Sequence, residues 1–153
     1  TKMCITLIKE VTKEGLRVLD LGCGSGILGI TALKFGAKNC LSIDIEDESV
    51  KATIKNSVDS KVLGIESQKQ DLINSLDIDF KPDIIIANLN SYLFKSGIKN
   101  IIKCMKPSTK LIASGILIEN YQELKNIFIE NNLFEIKKIE SGDWSAILLG
   151  NNA

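Results

Sequence analysis

Apolar residues along this 153-residue chain follow two spacings in alternation. Short unbroken runs, such as Ile84-Ile85-Ile86-Ala87, are separated by longer stretches in which apolar residues return every three or four positions. The first spacing predicts buried strands and the second amphipathic helices. Helices are predicted at 4–14, 27–35, 46–58, 92–105 and 119–131. Strands are predicted at 17–21, 40–44, 62–68, 82–87 and 110–114, with a closing β-hairpin at 134–140 and 144–149 around Ser141-Gly142-Asp143. Leu7, Ile8 and Val11 share one face of the first helix, and Gly36 stands where a left-handed cap ends the second. Glu46, Asp47 and Glu48 put acids at the start of the third, where the helix dipole favours them. The 82–87 run is apolar enough to be central, whereas 62–68 is weak. Regular alternation of strand and helix predicts one α/β domain over residues 1–153, with a mostly parallel sheet and an antiparallel last strand.

The stretch Arg17-Val18-Leu19-Asp20-Leu21-Gly22-Cys23-Gly24-Ser25-Gly26 narrows this further. It reads as a buried strand, a glycine-rich turn and a helix N-terminus, a unit that lets a ligand lie against bare backbone. Asp20 would repel a pyrophosphate and attract a ligand carrying an ammonium and a sulfonium, as S-adenosylmethionine does. Asp44, ending the next strand with Ile45 beside it, is placed to accept from ribose hydroxyls. Asp71 is a candidate acceptor for an adenine amino group. Gly24-Ser25-Gly26-Ile27-Leu28-Gly29 also matches the dinucleotide pattern G-x-G-x-x-G, which keeps NAD open as a competing ligand. Gly22, Asp44, Asp71 and Asn88 all fall at carboxyl ends of predicted strands, where open sheets of this kind bind ligands.

Asn88-Leu89-Asn90-Ser91-Tyr92 is the second informative stretch. The Asn88 side-chain carbonyl and the Leu89 backbone carbonyl are placed to hold an amine with its lone pair free. The competing reading makes Asn88 a cap for the following helix. Cys23 as a nucleophile lacks a histidine partner and reads better as a small loop residue, and Trp144 reads better as core or edge packing than as a substrate contact.

Composition mainly excludes. Lysine plus arginine and aspartate plus glutamate number 19 each, so no net charge draws the chain to nucleic acid or anionic membrane. The sequence has no histidine, which removes Ser-His-Asp and Cys-His catalysis. Cys4, Cys23, Cys40 and Cys104 are scattered without a C-x-x-C pair, so neither a metal site nor a disulfide scaffold is expected. No apolar run approaches the roughly 18 residues of a membrane span. A reduced, cytoplasmic protein is expected. The first residue is Thr1 rather than methionine, so a longer polypeptide is expected.

The runs Val18–Ile30, Gly36-Ala37-Lys38, Ile43-Asp44-Ile45, Ala87-Asn88-Leu89, Ser114-Gly115-Ile116-Leu117 and Asp143-Trp144, in that order, resemble the PrmA family. These are bacterial methyltransferases acting on lysine and α-amino groups of ribosomal large-subunit protein eleven. The resemblance covers essentially the whole chain. It implies a Rossmann-like, seven-stranded class I fold, S-adenosylmethionine as cofactor, and cofactor contacts at Thr1, Gly22, Asp44 and Asn88. With the glycine loop, the expected cofactor set is Thr1, Asp20, Gly22, Gly24, Asp44, Ile45, Asp71 and Asn88, and the expected catalytic pair Asn88 and Leu89. It also implies a small N-terminal domain, outside this chain, that recognises the ribosomal protein. A related family acting on release-factor glutamine has Asn-Pro-Pro-Tyr where this chain has Asn88-Leu89-Asn90-Ser91, which argues against a glutamine acceptor. The expected activity is therefore N-methylation of amino groups on a protein. A small-molecule methyltransferase, an NAD redox module, and a domain that binds cofactor without transferring methyl groups remain alternatives.

Overall fold

The most apolar stretch of the chain is the centre of the structure. In the computed structural model, which describes residues 1–152, Ile84, Ile85, Ile86 and Ala87 are all buried. A strand buried on both faces needs helices on both sides, and the chain supplies them. The elements in order are α1 (Lys2–Val11), β1 (Arg17–Leu21), α2 (Ile27–Lys34), β2 (Asn39–Asp44), α3 (Asp47–Asp59), β3 (Ile65–Lys69), β4 (Ile84–Asn88), α4 (Ser91–Cys104), β5 (Lys110–Leu117), a 3-10 turn (Ile118–Asn120), α5 (Tyr121–Glu130), β6 (Leu133–Ser141) and β7 (Trp144–Asn151). Among the described residues, seven strands form one sheet in the order β3-β2-β1-β4-β5-β7-β6. β1 to β5 pair in parallel, and β7 runs antiparallel to both β5 and β6. The expected α/β class and antiparallel last strand are what the chain forms. No helix among the described residues is long and apolar enough to cross a membrane.

Strand alternation sorts the core into two layers. Val18, Ile84, Ile86 and Ile112 face α1 and α2, where Leu7, Ile8, Leu28 and Ala32 cover them. Leu19, Leu21, Ile85 and Ala113 face the opposite layer, filled by Phe94 and Ile101 of α4 and Phe128 of α5. The Phe94 and Phe128 rings meet edge to face at 5.7 Å.

Three elements depart furthest from the sequence reading. α1 starts at Lys2 and stops at Val11, because Thr12 turns extended while its N–H still closes on the Ile8 carbonyl at 2.9 Å. β3 is a five-residue edge strand with little buried surface, which is why its pattern is weak. β5 runs on to Leu117 instead of stopping at Ser114. The register shifts between Ala113 and Ile116, so Gly115, with φ +80°, makes a bulge rather than ending the strand.

Phe128→Ala would empty the joint between α4 and α5. A loss of about 3–5 kcal/mol is expected, read as a lower urea midpoint with an unchanged slope.

Candidate active site

The strand order reverses between β1 and β4, and the candidate residues gather over that seam. After β1 the glycine loop folds back onto β2. Gly22 and Cys23 both donate their N–H to the Ile43 carbonyl, at 2.8 and 3.0 Å. Gly24 donates to Asp44 Oδ2 and Glu46 to Asp44 Oδ1, both at 3.0 Å. Each Asp44 oxygen thus takes one backbone amide, and a carboxylate with about four acceptor positions keeps two for a ligand.

Two cavities open beside Asn88. One, of about 400 Å³, is lined by Gly22, Asp44, Ile45, Asp71, Asn88 and Leu89 together with Gln70, Leu72, Ile73 and Leu93. The other, of about 590 Å³, is lined by Thr1, Lys2, Met3, Ser114, Gly115, Ser141 and Trp144. Asn88, Leu89 and Asn90 line both. A wider cleft, of about 630 Å³, lies among Arg17, Asn39 and Gly64 at the opposite strand ends, away from every one of the candidate residues.

Asn88 is available for a ligand because its neighbour does the capping. Asn90 is the N-cap of α4 and its side chain accepts from the Leu93 N–H at 2.9 Å. The reading of Asn88 as the helix cap is therefore set aside. Behind Asn88, a Cβ on Gly115 would come within 2.7 Å of Asn88 Oδ1 and 3.0 Å of the Leu89 carbonyl, so glycine makes room for both. This explains the Ser114-Gly115 pair, whose part in the site the sequence reading passed over. Trp144 also departs from its expected packing role. It is the first residue of β7, beyond the covered part of the sheet, and stands 48 % exposed on the second cavity.

Other candidates divide. Gly22, Asp44, Ile45, Asp71, Asn88 and Leu89 come together around the smaller cavity, with Gly24 behind Asp44. Thr1 sits across Asn88, on the second cavity instead. Asp71 is partly committed, its Oδ1 accepting from Ile73 N–H at 3.0 Å and its Oδ2 from Asn74 Nδ2 at 2.7 Å. Cys23 is buried and takes a hydrogen bond from Thr53 Oγ1 at 3.3 Å, and burial pushes its thiol above the ordinary range, opposite to what a nucleophile needs.

Asp20 is the candidate that the fold moves furthest from its expected place. Alternation along β1 turns its side chain toward α2, where it is 1 % exposed and lines neither rim cavity. There it accepts from the Gly29 N–H at 3.2 Å. The N-cap of α2 is Gly26, at φ +83° and with no side chain to cap, so a buried carboxylate from the strand serves one of the helix's orphan amides. A Cβ on Gly29 would sit 2.8 Å from Cys40 Sγ and 3.3 Å from Asp20 Oδ2, so the glycine that completes the dinucleotide-like pattern serves close packing. Burial raises the Asp20 carboxyl to about 7 against the pull of the Gly29 amide, with nearby Asp44 adding to the rise.

The family model described as ribosomal protein L11 methyltransferase (PrmA) matches residues 1–152. A ribosomal protein L11 methyltransferase of Ruminiclostridium cellulolyticum is 33% identical over 149 residues, which is 97% of this chain and 47% of that protein. One from Dictyoglomus turgidum is 34% identical over 151 residues, 99% of this chain and 50% of its own. The crystal structure of a ribosomal protein L11 methylase from Lactobacillus delbrueckii subsp. bulgaricus superposes with a TM-score of 0.93 at 30% identity, covering 99% of this chain and 78% of that one. The chain thus spans about half the length of the curated relatives it matches.

The Asp20 carboxyl titrates higher in the folded protein than the roughly 3.9 of an unfolded chain. The folded state then holds the extra proton, so this contribution to stability is complete below about pH 4 and is lost as pH rises through about 7. Between those limits, thermal midpoints of Asp20→Asn should gain steadily on the wild type. Parallel pH profiles for the two proteins would contradict this account of Asp20.

Proposed function

Because the chain belongs to the ribosomal protein L11 methyltransferase (PrmA) family, we propose that it is the catalytic part of an S-adenosylmethionine-dependent N-methyltransferase acting in the cytoplasm on amino groups of a protein, with L11 as the acceptor suggested by its relatives. The observation that carries the reading is the shared wall of the two cavities. Asn88 and Leu89 stand between a cavity of about 400 Å³, which would take a nucleoside, and a second opening onto the surface.

The donor set fits the cofactor. Asp44 has acceptor positions left for two ribose hydroxyls, and the part-exposed Ile45 with Leu72, Ile73 and Leu93 gives apolar surface for a purine. Gly22, at φ +72° and with Leu89 Cδ2 only 2.7 Å from where a Cβ would stand, is a turn of bare backbone, and the rest of the cofactor would lie over it. When bound, S-adenosylmethionine supplies a methyl group open to in-line attack by an amine.

The chain's own residues would orient that amine. The Asn88 Oδ1 and the Leu89 carbonyl accept its N–H bonds and turn its lone pair inward. A lysine ε-ammonium at pH 7 must first give up a proton, which costs about 4.6 kcal/mol. No histidine is present to take it. Desolvation against Leu89, Leu93 and the Trp144 indole lowers that cost by disfavouring the charged form. Alignment then does most of the work, an effect worth roughly 7–11 kcal/mol in favourable geometries.

Calorimetric titration with S-adenosylhomocysteine, with NAD as the control, tests the cofactor. Binding of the first alone is expected, and binding of NAD alone would overturn the reading. Asp44→Ala should weaken S-adenosylhomocysteine binding at least tenfold; an unaltered titration would remove Asp44 from the ribose site. Asn88→Ala should lose most single-turnover methyl transfer to L11 while keeping at least part of its cofactor affinity, and undiminished transfer would rule out the amine-holding role.

A further inference from the structure

The glycine loop is held from behind by a helix that touches neither rim cavity. α3 places Thr53 and Asn56, one turn apart, against the carbonyls of consecutive loop residues. Thr53 Oγ1 lies 3.2 Å from the Gly24 carbonyl and 3.3 Å from Cys23 Sγ, its one hydroxyl proton shared between them. Asn56 Nδ2 donates to the Ser25 carbonyl at 2.8 Å. Thr53 is fully buried, and its side chain also fills the space beside Gly26, where an added Cβ would lie 2.8 Å from Thr53 Cγ2 and 3.0 Å from its Cα.

Gly24 is thereby fixed at both ends. Its carbonyl is held by Thr53 of α3, and its N–H by Asp44, three residues before α3 begins. In a planar trans peptide the C=O and the following N–H point in opposite directions. Drawing the Gly24 carbonyl toward α3 therefore turns the Ser25 amide away from it. Hydrogen bonds thus tie Asp44, the loop and α3 together, and the bond from α3 sets which way the Ser25 amide faces.

We infer that α3 clamps the glycine loop, with Thr53 as a positioning residue for the cofactor and Asn56 as its support. The inference rests on the proposed cofactor site. Thr53→Val keeps the shape and removes the donor, leaving the Gly24 carbonyl without its partner. Affinity for S-adenosylhomocysteine should fall about tenfold, or about 1.4 kcal/mol. Thr53→Ser, which keeps the hydroxyl, should bind nearly as the wild type does. Asn56→Ala, at a more open position, should weaken binding severalfold. Ser57→Ala is the control: Ser57 is also buried on α3, but its hydroxyl bonds to the Ile54 carbonyl of its own helix.

Amide hydrogen exchange at Gly24 in the unliganded protein gives a reading independent of the cofactor. It should quicken about tenfold in Thr53→Val and stay unchanged in Ser57→Ala. Wild-type affinity and wild-type exchange in Thr53→Val would overturn the clamp alone. Equal weakening by Thr53→Val and Ser57→Ala would overturn it too, by showing a general effect of loosening α3. Failure of the wild-type protein to bind S-adenosylhomocysteine would overturn both the cofactor site and the positioning role.

Discussion

The site depends on a carboxylate in the core. Asp20 lies under the first turn of α2 and supplies the acceptor that Gly26, having no side chain, does not. The arrangement answers a conflict between two needs. The loop after β1 must turn sharply enough to leave its backbone bare, and a glycine at positive φ does that. A helix starting at such a residue has orphan amides, and an acceptor from the neighbouring strand serves one of them. The close approach of Gly29 to β1 and β2 follows, since any side chain there would push the helix off its support. A charged group held in a dry place lowers stability, and here it sets the geometry of the loop.

Around that anchor the rim divides its tasks. β2 contributes Asp44, already oriented by two amides, while β4 contributes Asn88, released for ligand contact because Asn90 caps α4. Gly115 on β5 clears the space that Asn88 occupies. β2, β4 and β5 thus each bring one residue type that suits one part of the proposed S-adenosylmethionine-dependent transfer, and rigid elements carry all of them. Two carbonyls beside apolar surface suit an amine, which needs its proton removed and its lone pair aimed but needs no strong acid.

Much of this was legible in the residues. The alternation of apolar runs and helical spacing identified the parallel sheet, and the glycine loop with Asp44 and Asn88 located the rim. Four points were not legible, each for a physical reason. Asp20 belongs to the loop motif in sequence, but strand alternation turns its side chain under α2, and that depends on which face the helix covers. Gly115 looks like a strand end, and only pairing with β7 makes it a bulge. Trp144 looks like packing material because tryptophan usually is, and its exposure depends on β7 starting beyond the covered sheet. Leu72, Ile73 and Leu93 were missed because contact with the cavity depends on tertiary placement and not on residue type.

The seam between β1 and β4 also divides the chain by ancestry of contact. β1, β2 and β3 come from an unbroken stretch, Arg17 to Lys69, and β4 to β7 from another, Ile84 to Asn151. Each half can assemble its own registers from segments near in sequence, and a single ladder, Val18 to Leu21 against Ile84 to Ala87, joins them. That ladder closes the longest loop between paired strands of the sheet, and its entropy must be spent before the pairing is gained. The smaller cavity straddles the same line, with Gly22 and Asp44 on one side and Asn88 and Leu89 on the other. A chain halted before the halves dock would lack the smaller cavity, whose walls come from both, so the proposed ability to bind cofactor would arise in the same step that completes the sheet.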